Sequence, residues 1–356
     1  MPRNKIDRRH FLRLLSSITA AGTLGRPLTA CTHKELLNPD EDILLSGGDY
    51  SEFGTPHKAL IIINAVQKEK RMVPCDFVPH GIIIHPDDKY TVYCFQKDGP
   101  SACSINLKTL SVIEKFRCAD NNYFSGHAVF SQDKKHIYTI ETDQQTRQGK
   151  INIRDAATFD SLKQLPTLGL QAHDCQLLDE AVLVVSNTGH SESKFHQPSL
   201  VFIDMKTEKL VSRLKLDNDK LNAGHFSITE NNTIVIASAP ITTVDDTVSE
   251  INAAKQEPGG VSIKIADGPV VTMNEPDAVV RRMQGEALGI AVNNERRIAA
   301  ITHPDANLLT FWSLDQQQII KAIGIENPRG ICQTLDEKNF VISYGKKPAM
   351  AYISID

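Results

Sequence analysis

Short apolar runs of strand length, parted by Asp, Asn and Lys turns, recur as a unit of about 40–60 residues along most of the chain. No other feature limits the fold as strongly. In one unit Gly81-Ile82-Ile83-Ile84 passes through His85-Pro86-Asp87-Asp88 into Tyr90-Thr91-Val92-Tyr93, followed by a third run over 101–107 and a fourth over 111–116. The next unit keeps the order, with Ala128-Val129-Phe130, Ser131-Gln132-Asp133-Lys134, Ile137-Tyr138-Thr139-Ile140 and a third run reaching Asp155-Ala156-Ala157-Thr158. Third runs end near Asn64, Asn106, Asp155, Asp204, Ile263, Asp315 and Ser354, which makes seven units. Long helical periodicity is almost absent. A four-stranded blade leaves an apolar face that only its neighbours can cover, so such units must close into a ring. The expected fold is therefore all-β, a seven-bladed β-propeller over residues 43–356. Six or eight blades also fit the spacing. Strands from both chain ends are expected to complete the closure.

The N-terminus reads differently. Arg8-Arg9-His10-Phe11-Leu12-Arg13 precedes an apolar stretch over 14–24, far below the roughly 20 residues a membrane-spanning helix needs. Paired arginines in this setting resemble a twin-arginine export signal, which assigns residues 1–30 to a signal peptide and 31–42 to a linker. Leu28-Thr29-Ala30-Cys31 resembles a lipobox, in which Cys31 becomes the first residue and carries lipid. Cleavage after Ala30 without lipid is the competing reading. The expected location is the periplasm, reached by the twin-arginine pathway, with membrane attachment only through a lipid on Cys31.

Without residues 1–30 the chain keeps 33 basic and 42 acidic residues, a formal charge of −9. That disfavours nucleic acid and anionic membrane surfaces, which need basic patches. Six cysteines follow Cys31, none in a C-x-x-C pair, so zinc-ribbon and thioredoxin-type sites are excluded. Cys94 and Cys103 fall on neighbouring strands, and Cys75 and Cys118 end equivalent strands. Disulfide pairing and buried free thiols both remain open. Two stretches interrupt the repeat, 186–198 with His190 and His196, and 242–260 with Asp245-Asp246. Long propeller insertions gather on one face and often line a site.

Histidines occupy one position of the repeat. His80, His127, His173 and His225 each stand just before an innermost strand, in Pro79-His80-Gly81, Gly126-His127-Ala128, Ala172-His173-Asp174 and Gly224-His225-Phe226. Four successive blades would bring these imidazoles toward one axis, and neutral imidazole is a common ligand for iron, copper, zinc and nickel. His190 and Cys175 could add ligands. The competing reading makes each histidine a structural group bonded to a turn aspartate, with Asp88 and Asp133 as partners. Glu141, Asp143 and Arg147 follow the second strand of their blade as outer-shell candidates, or as a solvated ion cluster. His85, His136 and His303 are assigned no role. No G-x-S-x-G elbow, phosphate-binding glycine loop, H-E-x-x-H or C-x-x-C-H motif is present, so catalytic residues are assigned to none.

Several segments together resemble the family known as domain of unknown function 1513. They are His80-Gly81, Gly126-His127-Ala128-Val129-Phe130-Ser131, Ile140-Glu141 with Asp143 and Arg147 through Gly149, Ala172-His173-Asp174, Pro198-Ser199-Leu200-Val201-Phe202-Ile203-Asp204 and Gly224-His225. The resemblance is strongest over 78–230. It implies an exported seven-bladed propeller associated with imelysin-type iron-uptake proteins. Pro79 replaces the family's usual arginine, and the loop around 190–198 is shortened.

The resulting expectation is a periplasmic, non-enzymatic binding protein. Its channel mouth would hold iron, another transition metal or haem for uptake, through His80, His127, His173 and His225. An ion-free scaffold for an imelysin-like partner is the second expectation, and a metal-dependent oxidoreductase or lyase the third.

Overall fold

The computed structural model describes Leu37 and residues 41–189, 197–242 and 247–355. They form seven antiparallel sheets in sequence order, with strands adjacent in sequence adjacent in each sheet. Blade 1 spans 43–75, blade 2 79–117, blade 3 122–170, blade 4 172–214, blade 5 226–272, blade 6 290–324 and blade 7 331–354. Blades 1 and 7 have three strands and the other five have four. This is the seven-bladed propeller expected from the repeat. The twin-arginine segment and Cys31 lie outside the described residues, as does His190.

The period-two alternation of side chains decides the packing. In the second strand of blade 2, Thr91–Gln96, Val92 and Cys94 face blade 1, whereas Tyr93 and Phe95 face blade 3. The same division generates seven buried apolar clusters, one in each gap between neighbouring blades. Between blades 2 and 3, Phe95 and Phe124 meet edge to face with centroids 5.7 Å apart. Each such ring contributes about 1.5–3 kcal/mol by leaving water. No blade can keep these faces dry alone, so the ring is a single cooperative layer of sheets.

Closure differs from expectation. Among the described residues no strand from one chain end joins the sheet of the other. Blade 7 instead packs face to face on blade 1 through Leu44, Ile63 and Val341, the smallest of the seven clusters. The Leu335 amide also donates to Asp42 at 2.9 Å across this seam.

The 242–260 insertion carries a short helix, α1 (Val248–Ala254), started by reciprocal capping between Thr247 and Glu250. A second, α2 (Asp277–Val280), lies between blades 5 and 6. Cys94 and Cys103 face each other across paired strands, yet the six described cysteines are free thiols.

Candidate functional site: a histidine cluster on the propeller axis

The innermost strands of blades 2, 3 and 4 lose register with their partners where the histidines stand. The breaks fall between Pro79 and Gly81, between Phe124 and Ala128, and between Ala172 and Cys175. Bulges of this kind re-aim a side chain. They release His80, His127 and His173 from the ladder, and His225 stands immediately before the inner strand Phe226–Ile228 of blade 5. The four rings converge. Centroids lie 5.0 Å apart for His80 and His127, 5.2 Å for His127 and His173, 4.5 Å for His173 and His225, and 5.0 Å for His127 and His225.

Two glycines make that convergence possible. A side chain on Gly81 would meet the Gly126 carbonyl oxygen at 1.8 Å, so the inner strands of blades 2 and 3 approach only because it is absent. Gly126 has φ near +100° and leaves the space that the His80 ring fills; a Cβ there would lie 2.5 Å from His80 Cδ2. The Gly-His and His-Gly pairs of the sequence are two halves of one fit. In blades 6 and 7 the inner strands follow Leu288-Gly289 and Arg329-Gly330, so the imidazoles come from blades 2 to 5.

Asp174 organises the rings. Its Oδ1 lies 3.3 Å from His127 Nδ1 and its Oδ2 lies 3.5 Å from His225 Nδ1, so one carboxylate in blade 4 ties blades 3 and 5. The carboxylate also accepts the Cys175 amide at 2.7 Å, and the Asp174 amide donates to Ser186 Oγ at 2.9 Å. Burial alone would raise its pKa; the facing His127 and His225 rings and the Cys175 amide outweigh that and hold it below the ordinary value. A carboxylate on Nδ1 fixes the Nδ1–H tautomer and leaves Nε2 as a bare lone pair.

Ligand atoms of His80, His127 and His225 all lie within 4.8 Å of one another. His127 Nε2 is buried with no hydrogen-bond partner. His173 Nε2 meets His225 Nε2 at 3.1 Å, and His225 turns Nδ1 toward Asp174. Burial lowers the pKa of His127 to about 4. Desolvation beside the other rings and the neighbouring His127 lower His80, and burial with His225 and His127 takes His173 well below its ordinary value. These three rings are neutral at physiological pH, the state in which imidazole binds metal.

Above the cluster lies a cavity of about 660 Å³ whose lining includes His173, Tyr123, Gln171, Asn222, Lys97 and Arg147. The lining is mainly polar, and Lys97 is close enough for its charge to disfavour protonation of His80, His127 and His173.

The remaining sequence candidates fall elsewhere. Glu141 is fully buried inside blade 3, where it pairs with Arg154 at 2.7 Å and accepts from Asn152 and Asn122. No hydrogen bond links it to the histidines. Asp143 forms a turn by accepting the Gln145 and Thr146 amides. Arg147 lines the cavity over the Tyr123 ring at 5.7 Å. Cys175 is buried in the core between blades 3 and 4. Asp88 and Asp133 bond within their own turns, to Thr91 and Ser131, so they do not hold the four histidines. His303 is fully buried in blade 6 against Thr310. Sequence reasoning gave no role to Asp174 or Lys97. The signal for Asp174 was its place beside His173, one step along a strand that is irregular there.

The fold and site define a β-propeller with a histidine cluster on its axis, opening into a polar cavity. The chain belongs to the family described as protein of unknown function (DUF1513), which it matches over residues 78–354. No curated protein sequence matches it. Among solved structures it is similar to Kuenenia stuttgartiensis hydrazine synthase, with a TM-score of 0.68 and 14% identity over 92% of this chain and 99% of that one. At that identity the likeness is one of fold.

Proposed function

We propose that this protein is a non-enzymatic metal-binding propeller that holds a transition-metal ion, iron foremost, between His80, His127 and His225, with His173 beside them. The observation that carries this reading is the buried, unpartnered Nε2 of His127 among converging imidazoles. A buried polar atom without a partner costs about 1–3 kcal/mol, a cost that a bound ion would offset. Asp174 supplies the outer carboxylate that histidine metal sites use to aim their rings. A bare ion suits the site better than haem, because haem needs an apolar platform and the cavity is lined by Lys97, Arg147, Gln171 and Asn222.

In this reading the N-terminal signal carries the protein to the periplasm, with or without lipid on Cys31. There it serves iron uptake beside an imelysin-like partner. The test is metal analysis of untagged protein exported through its own signal, since cytoplasmic overexpression could load another ion. One equivalent of metal retained through dialysis, and lost in His127→Ala and His225→Ala, is the expected result. Metal-free protein that cannot be loaded would instead favour the ion-free scaffold.

A further inference from the structure

Three of the six described thiols gather in one place. Cys94 and Cys103 are buried in the apolar core between blades 1 and 2, and Cys75 packs against the same core from the end of Glu69–Cys75, the last strand of blade 1. Cys75 is only partly buried, whereas Cys94 and Cys103 are almost wholly shielded from solvent.

The surrounding contacts set Cys103 beside Cys75. Cys103 stands opposite Lys115 in the ladder that joins Ser101–Asn106 to Ser111–Arg117, and side chains directly opposed in a ladder share one face of the sheet. On that face Lys115 Nζ reaches Asp76, the residue after Cys75, at 2.5 Å. Cys103 therefore points to the end of blade 1 where Cys75 lies. In keeping with this, the Cys103 thiol comes ahead of burial among the causes that raise the Cys75 pKa.

Cys94 is the competing partner of Cys103. The two are directly opposed, and the Leu107 amide bond to the Tyr90 carbonyl fixes the alternation of this ladder so that they form a hydrogen-bonded pair. In such pairs the Cα atoms lie about 5.5 Å apart, and the side chains are less close than at the sites between. Both thiols are also hidden from any oxidant. Cys75 is the one that solvent reaches.

We propose that Cys75 and Cys103 are a disulfide site, and that under oxidising conditions they bond and staple blade 1 to blade 2. In the cell this rests on the export reading above. The oxidant is a disulfide, carried by a protein or a small thiol. Cys75 loses its proton and its sulfur attacks one sulfur of the oxidant, whose other sulfur leaves as a thiol. Cys103 then loses its proton and attacks the Cys75 sulfur, releasing the second thiol. Two protein thiols are oxidised, one disulfide is reduced, and both protons leave on the oxidant's sulfurs. The staple bears on the hub. Gly47 of blade 1 packs so closely on blade 2 that a Cβ there would lie 1.7 Å from the carbonyl oxygen of Pro79, the residue before His80.

The experiment labels thiols with N-ethylmaleimide in denaturant, before and after reduction. It uses untagged protein exported through its own signal, and separately reduced protein equilibrated with oxidised glutathione. Expected in both are two fewer labels before reduction than after, and a linked pair of peptides carrying Cys75 and Cys103. Cys94→Ser keeps the link; Cys75→Ser abolishes it and leaves Cys103 open to the label. A link between Cys94 and Cys103, glutathione held on Cys75 alone, or full labelling of both preparations overturns the site. A Cys75–Cys103 link in glutathione with full labelling of the exported protein upholds the pair and counts against the oxidising destination instead.

Discussion

His173 and His225 meet through their Nε2 atoms at 3.1 Å, while the other ring nitrogen of His225 lies 3.5 Å from the Asp174 carboxylate. An ion that takes the His225 lone pair must break this contact, so the cluster has a ligand-free arrangement of its own. His127 has none: its Nε2 has no partner to lose.

Asp174→Asn tests the carboxylate. An amide cannot accept from both Nδ1 atoms while keeping charge, so the His127 and His225 rings lose their fixed tautomer. Metal affinity is expected to fall about 10–100-fold, as when other outer carboxylates are removed. Calorimetry measures the fall, and an unchanged far-ultraviolet spectrum shows the blades intact. An affinity equal to wild type would show that Asp174 is only a structural tie.

Gly126→Ala tests the interlock with His80. The added methyl would stand 2.5 Å from His80 Cδ2 at a φ near +100°, which alanine adopts only with strain. His80 is expected to swing out of the cluster, and metal affinity to drop with the propeller still folded. Retention of full affinity would mean that His80 is not a ligand.

Glu141→Ala separates the fold from the site. The Glu141–Arg154 pair is almost completely buried, and removing one partner strands the other charge. The expected cost is about 3–5 kcal/mol in urea unfolding. Metal affinity of the folded fraction stays at the wild-type value, because no hydrogen bond joins this network to the histidines. A selective loss of metal would restore Glu141 to the site.

His303 gives a pH dependence that is independent of any ion. Burial lowers its pKa from 6.5 to about 3, so between those values the unfolded chain takes up a proton that the folded protein does not. Stability is therefore fully present above pH 6.5 and declines as pH falls toward 3, by up to about 1.4 kcal/mol per pH unit for this one residue. Unfolding free energies measured from pH 7 to pH 4 should show the decline, and His303→Gln should flatten part of it. A slope unaltered in the variant would assign the acid sensitivity elsewhere.

The blade count was legible because each strand pair carries its turn chemistry locally, as Asn106 and Asp155 do, and because side-chain alternation forces both blade faces to be apolar. Convergence of the histidines followed from their common place in the repeat. The partners of those histidines did not follow. Asp174 reaches across to blades 3 and 5, and Lys97 acts from a neighbouring loop, so neither is marked by spacing along the chain. Glu141 was misleading for a related reason: a glutamate on a strand end looks alike whether it turns to a channel or, as here, into its own sheet toward Arg154. His303, given no role from its place before Pro304, ends a strand wholly inside blade 6.

The joint between the last and first blades rests on Leu44, Ile63 and Val341 with no strand shared across it. A wheel fastened there by this small apolar contact and the Leu335–Asp42 hydrogen bond has its thinnest spoke gap at that joint. The imidazoles belong to blades 2 to 5, whose shared walls are thicker. Loosening of the rim between blades 7 and 1 would therefore leave the arc of blades that carries the four imidazoles intact.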